Sequence, residues 1–63
     1  MKILAQRGEN YFLVESDDKY YIVNTGKKEK FEVKSPDIAY RAGYWETPKP
    51  TNGQISILEE LIK

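Results

Sequence analysis

A chain of 63 residues with ten basic and ten acidic side chains, zero net charge and neither cysteine nor histidine is one small domain with no disulfide or zinc site to help it fold. Such a chain buries only about 60% of the surface its unfolded form exposes, which leaves dimerisation as its reserve of stability. The composition also removes the net positive field that drives nucleic-acid binding, the commonest general base and the strongest neutral-pH nucleophile. No enzymatic activity, cofactor or metal is expected.

The first residues, MKILAQRGEN, carry one short apolar run, Ile3 to Ala5, far below a signal-peptide core. No apolar stretch reaches transmembrane length. With cysteine absent, the expectation is a cytoplasmic protein that avoids membranes.

Four strand-like runs follow one another over residues 2–34: KILAQR, NYFLVES, KYYIVNT and a segment ending in FEVK. All are short and rich in β-branched or aromatic residues, with polar turn residues between them. Gly8-Glu9 suits a two-residue turn with glycine at the position that needs positive φ, which sets Arg7 opposite Asn10, Ala5 opposite Phe12 and Ile3 opposite Val14. Asp17-Asp18 as a second two-residue turn pairs Ser16 with Lys19, Val14 with Tyr21 and Phe12 with Val23.

Asn24, Thr25 and Gly26 read as a three-residue loop with glycine left-handed, which puts Phe31 and Val33 on the side of Tyr21 and Val23. Together these turns collect Ile3, Ala5, Phe12, Val14, Tyr21, Val23, Phe31 and Val33 on one face. Leu4, Gln6, Tyr11, Leu13, Tyr20, Ile22, Lys28, Lys30 and Glu32 fall on the other, with Tyr11 and Tyr20 near each other. A loop of different length at 24–29 flips Phe31 and Val33.

Beyond the strands, SPDIAYRAG (35–43) has serine to cap a helical turn, proline at its first position and glycine at its end. GYWET (43–47) returns to strand composition and is stopped by Pro48 and Pro50, which lack the N–H a ladder needs. The tail over 52–63 opens on a Thr51-x-x-Gln54 capping box. Its Ile55, Ile57, Leu58, Leu61 and Ile62 span about 160° of a helix, opposite Ser56, Glu59, Glu60 and Lys63. So short an amphipathic helix has to dock.

The fold class is therefore mainly β with a C-terminal α-helix, an antiparallel meander of four to five strands in a single domain, 1–63. This element order resembles a small barrel of the Src-homology-3 type over residues 2–47, in architecture alone. The paired tryptophans and acidic loop of that family's peptide site are missing, so the resemblance implies a closed barrel and not its ligand. The alternative is an open α+β sheet with one helix.

The chemistry-bearing patterns are few. Asp17-Asp18 at a turn tip and Glu59-Glu60 on a wet helix face have no cleft to perturb them. ESDDK lacks the glycine and distal glutamate of a calcium loop, and GKKEK lacks phosphate-loop spacing. Five tyrosines and one tryptophan exceed what a small core hides, and these residue types are enriched at interfaces. Tyr40, Arg41, Tyr44 and Trp45, with Tyr11 and Tyr20 on the second face, form the candidate partner-binding set. The expected function is a small protein-interaction module, accessory or regulatory, that binds a protein partner or itself. The alternative is a nucleic-acid-binding small barrel using Lys27, Lys28, Lys30 and Lys34 on phosphates and exposed rings on bases.

Overall fold

The computed structural model describes residues 1–37 and 44–62. It has four strands, β1 (Lys2–Arg7), β2 (Tyr11–Ser16), β3 (Lys19–Asn24) and β4 (Glu29–Val33), and a C-terminal helix, Asn52–Leu61. The strands form one antiparallel meander in the order β1-β2-β3-β4. The sheet is open, with a helix on one face. The closed barrel is thus corrected in favour of the open arrangement, because residues 44–47 add a single bridge and not a strand. Glu46 alone bridges β1, through two backbone bonds with Gln6 at 2.8 and 2.9 Å. No described residue pairs with the outer edge of β4.

The central hairpin follows its turn. Asp17 and Asp18 both take positive φ, 52° and 64°, the signature of the two-residue turn whose twist matches that of the flanking strands. Ser16 pairs with Lys19, Val14 with Tyr21 and Phe12 with Val23, as the sequence leads one to expect.

The first hairpin differs by one residue. Arg7 pairs with Tyr11 rather than with Asn10, so its loop is Gly8-Glu9-Asn10. That register sets Ala5 opposite Leu13, and a bulge at Leu4 then restores Ile3 opposite Val14. Two residues against one is what a bulge does. The longer loop thus places Ala5 on the second face, and the bulge keeps Ile3 on the first.

The third hairpin differs more. Asn24 pairs with Glu29 across a four-residue loop, Thr25 to Lys28, and the residue with positive φ is Lys28, at 55°, not Gly26. The Asn24 side-chain oxygen accepts the Gly26 and Lys27 amides at 3.0 and 3.2 Å, a local turn bond typical of asparagine. One extra loop residue reverses every side chain of a strand. Phe31 therefore pairs with Ile22 and Val33 with Tyr20, on the second face, whereas Lys30 and Glu32 lie on the face of Val23 and Tyr21.

The helix begins on the capping box foreseen in the sequence: the Gln54 amide donates to Thr51 Oγ1 at 3.1 Å and the Thr51 amide to Gln54 Oε1 at 3.0 Å. It lies on the first face, where Phe12, Val14, Val23, Leu58 and Ile62 are buried together with Ile3, Tyr21 and Leu61 against them. The Lys30 ammonium reaches it from β4 and donates to the Leu61 carbonyl at 2.7 Å. The second face has a smaller core of Ala5 and Leu13, on which Leu4, Ile22, Val33 and Trp45 pack. Apolar residues in both phases of β2 are thus explained: a helix covers one face and Trp45 the other.

The segment from sheet to helix is fixed by Gln6. Besides its backbone bonds to Glu46, its side chain accepts the Lys49 amide at 2.7 Å and donates to the Gly8 carbonyl at 2.9 Å. Residues 46–49 therefore run along the outer edge of β1. Pro36 and Asp37 are helical, and the rest of the expected turn at 35–43 lies outside the described residues. No helix among the described residues is long and apolar enough to cross a membrane.

Candidate functional site

The second face of the sheet is a set of cross-strand rows. Ala5, Leu13, Ile22 and Phe31 form its central row, from β1 to β4. Ala5 and Leu13 are buried and Ile22 is half-buried, whereas Phe31 is 57% exposed. The row runs from a covered core to an aromatic ring in water. Sequence reasoning misses Phe31 because it assigns that residue to the opposite face. The signal available was the alternative loop length, since a four-residue loop turns the ring outward.

Of the residues expected to bind a partner, Tyr11 is 43% exposed and Tyr44 92% exposed. Tyr20 is half-buried and sits opposite Glu15, while Tyr11 sits between Arg7 and Asn24. Tyr11 and Tyr20 share a face but are not neighbours. Four residues of β2 separate their rows, about 13 Å at strand rise. Trp45 is half-buried, with its ring in the small second core, so it acts first as a cover. Tyr40 and Arg41 lie outside the described residues.

Tyr20 has a raised pKa. The Glu15 carboxylate opposite it, desolvation, its hydrogen bond to that carboxylate and the charge of Asp18 all raise its pKa above 10.0. Each cause disfavours a second negative charge at the phenol.

The lysines do not form one patch. Lys27 and Lys28 are at the tip of the third loop, and Lys34 follows the end of β4. Lys30 is on the helix side, bonded to the Leu61 carbonyl with its ammonium 5.4 Å from the Tyr21 ring centroid. Glu29 and Glu32 alternate with them along the strand.

Among the described residues no three carboxylates gather as a metal site needs, and no pocket opens in the described surface. What the geometry offers is a shallow aromatic surface beside a strand edge that no described residue pairs. Comparison with known proteins gives no match to a family, a curated protein or a solved structure.

Proposed function

We propose that this chain is a small non-catalytic protein-interaction module, an accessory or regulatory protein of the cytoplasm, that binds a protein partner through the aromatic second face of its sheet. The observation that carries the reading is the 57% exposure of Phe31 at the open end of the Ala5–Leu13–Ile22–Phe31 row. A ring there adds apolar contact area next to side chains already fixed by packing, and aromatic anchors of this kind dominate binding energy at interfaces. Tyr11 on the same face and Tyr44 beside Trp45 add rings with a polar handle.

Binding assays on purified protein test this. Captured partners are compared for the parent chain, for Phe31→Ser and for the pair Lys27→Ala with Lys28→Ala, each with and without nuclease treatment. Phe31→Ser is expected to weaken binding by about 1 to 3 kcal/mol, the range for truncating an interface anchor, while the lysine pair leaves it unchanged. Binding that needs the lysines, ignores Phe31 and weakens steeply with salt is a phosphate-driven interaction. That result overturns the reading in favour of nucleic acid.

A further inference from the structure

The two outer edges of the sheet are not equivalent. The β1 edge is bridged by Glu46 and bordered by the segment that Gln6 holds. The β4 edge pairs with no described residue. Its sequence, Glu29-Lys30-Phe31-Glu32-Val33, places opposite charges symmetrically about an exposed ring.

The backbone of β4 decides which groups face outward. In antiparallel pairs, hydrogen-bonded and non-bonded positions alternate. Ser16 and Lys19 flank a two-residue turn and form a bonded pair, so Tyr21 and Val23 also turn their backbone groups toward β2. Tyr20, Ile22 and Asn24 then turn theirs toward β4, to bond Val33, Phe31 and Glu29. Lys30 and Glu32 are left with N–H and C=O directed away from the sheet. An edge strand with such groups is a template for another strand.

We propose that a second copy of this chain docks on the β4 edge, antiparallel, with the twofold axis at Phe31. The choice of register follows from charge. Only outward-facing residues bond across the new seam, and within β4 these are Lys30 and Glu32, so an axis at Lys30 sets Lys30 against itself and an axis at Glu32 sets Glu32 against itself. Axes at Lys30 or at Glu32 set like charges directly opposite, which is destabilising. The axis at Phe31 alone sets Lys30 against Glu32 of the second copy, and Glu32 against Lys30. The interface is isologous, as a twofold demands. It brings the two Phe31 rings together on the second face, where each is now in water, and joins two four-stranded sheets into one. For Phe31 the inference rests on the reading of that face as a contact surface, and it names the partner as the chain itself.

The test is a charge swap, read by sedimentation over a concentration series, with circular dichroism to confirm that each variant is folded. The parent chain is expected to show a concentration-dependent dimer. Glu32→Lys alone and Lys30→Glu alone each set like charges across the seam and weaken dimerisation by about tenfold or more. Mixing the two variants pairs two lysines with two glutamates and restores a dimer, now of one variant with the other. Amide exchange supplies a second readout that survives if Lys30→Glu fails to fold because its bond to Leu61 is lost. In the parent, Lys30 and Glu32 amides gain protection as concentration rises, whereas the Phe31 amide, already bonded to Ile22, is protected throughout.

A parent chain that stays monomeric at millimolar concentration overturns the proposal, as does a dimer in which the Lys30 and Glu32 amides stay unprotected. If self-pairing fails while Phe31→Ser still weakens capture of another protein, the interaction reading stands without it. If both fail, both are wrong.

Discussion

The Gln54 side-chain amide donates to the Glu9 carbonyl at 2.6 Å while its oxygen accepts the Thr51 amide at 3.0 Å. One side chain thus caps the helix and ties it to the loop of the first hairpin. The same amide lies 3.4 Å from Thr25 Oγ1, and Thr25 in turn donates its backbone N–H to the Asn10 carbonyl at 2.9 Å. The helix start, the first hairpin loop and the third meet at this point.

Gln54→Ala removes all three side-chain bonds and is expected to cost about 1 to 2 kcal/mol, a capping contact with modest hydrogen bonds. Gln54→Glu keeps an acceptor for the Thr51 amide, in a position that favours negative charge, but sets a carboxylate against the Glu9 carbonyl. Chemical denaturation of the two variants separates capping from docking. If Gln54→Glu is as stable as the parent, the link to the hairpin contributes nothing.

The second prediction concerns the first face. Val14 and Leu58 are fully buried in the same cluster, one from the sheet and one from the helix. Leu58→Ala is expected to cost about 2 to 5 kcal/mol, against a total stability of roughly 5 to 15 kcal/mol for a typical domain. In a chain this small, that lowers the thermal midpoint by more than about 10 °C. Val14→Asp buries a carboxylate with no partner and is expected to prevent folding altogether. A folded Val14→Asp protein, by circular dichroism and amide dispersion, would show that the helix does not cover this face.

The pairing of β2 with β3 and the start of the helix were legible because each depends on local chemistry. Two aspartates accept positive φ in a tight turn, and Thr51 with Gln54 spells a reciprocal cap. The bulge at Leu4 has no such signature, since neither glycine nor proline marks it. The fourth strand was misassigned for a similar reason: Gly26 is the residue expected to turn left-handed, yet Lys28 does so. Gly26 serves instead in close packing, where a Cβ would stand 3.1 Å from Asn10 Nδ2 and 3.2 Å from Asn10 Cγ. The exposure of Phe31 depends on that loop, so this part of the candidate site was hidden with it. Tyr11 and Tyr44 were legible as surface aromatics. The composition of GYWET places Trp45 in the binding set, but its packing on the second core depends on the route Gln6 imposes, which no pattern within GYWET encodes.

The left-handed residues supply a third prediction, in the stabilising direction. Asp18 and Lys28 hold φ of 64° and 55°, a region that costs a residue with a side chain roughly 1 to 2 kcal/mol and glycine little. The residue pair preferred in a two-residue turn of this type is Asp-Gly, so Asp18→Gly improves the central hairpin without touching the core. Lys28→Gly does the same for the third loop. Each is expected to raise stability by about 0.4 to 1 kcal/mol, part of the gain being offset by the greater freedom of glycine in the unfolded chain. Lys28→Gly also removes one candidate phosphate contact, so unchanged partner binding in that variant counts against the nucleic-acid alternative.

The last prediction is a pH dependence centred on Tyr20. The Glu15 carboxylate, desolvation, their mutual hydrogen bond and Asp18 raise the Tyr20 pKa above 10.0, so the folded chain holds this proton more tightly than the unfolded one. A group with a raised folded pKa contributes stability that is fully present below the unfolded value and lost as pH rises through the folded one. The thermal midpoint is therefore expected to fall as pH climbs past about 10, the ordinary tyrosine value. Tyr20→Phe, which cannot ionise, should lack that part of the fall. Glu15→Gln removes the first cause and keeps the side chain's size, so the Tyr20 step should move back toward the ordinary value. The chain has five tyrosines, and the tyrosinate absorbance of the parent minus that of Tyr20→Phe isolates the one in question. A difference curve with the same midpoint in the Glu15→Gln background would show that the carboxylate across the strand does not set the acidity of Tyr20.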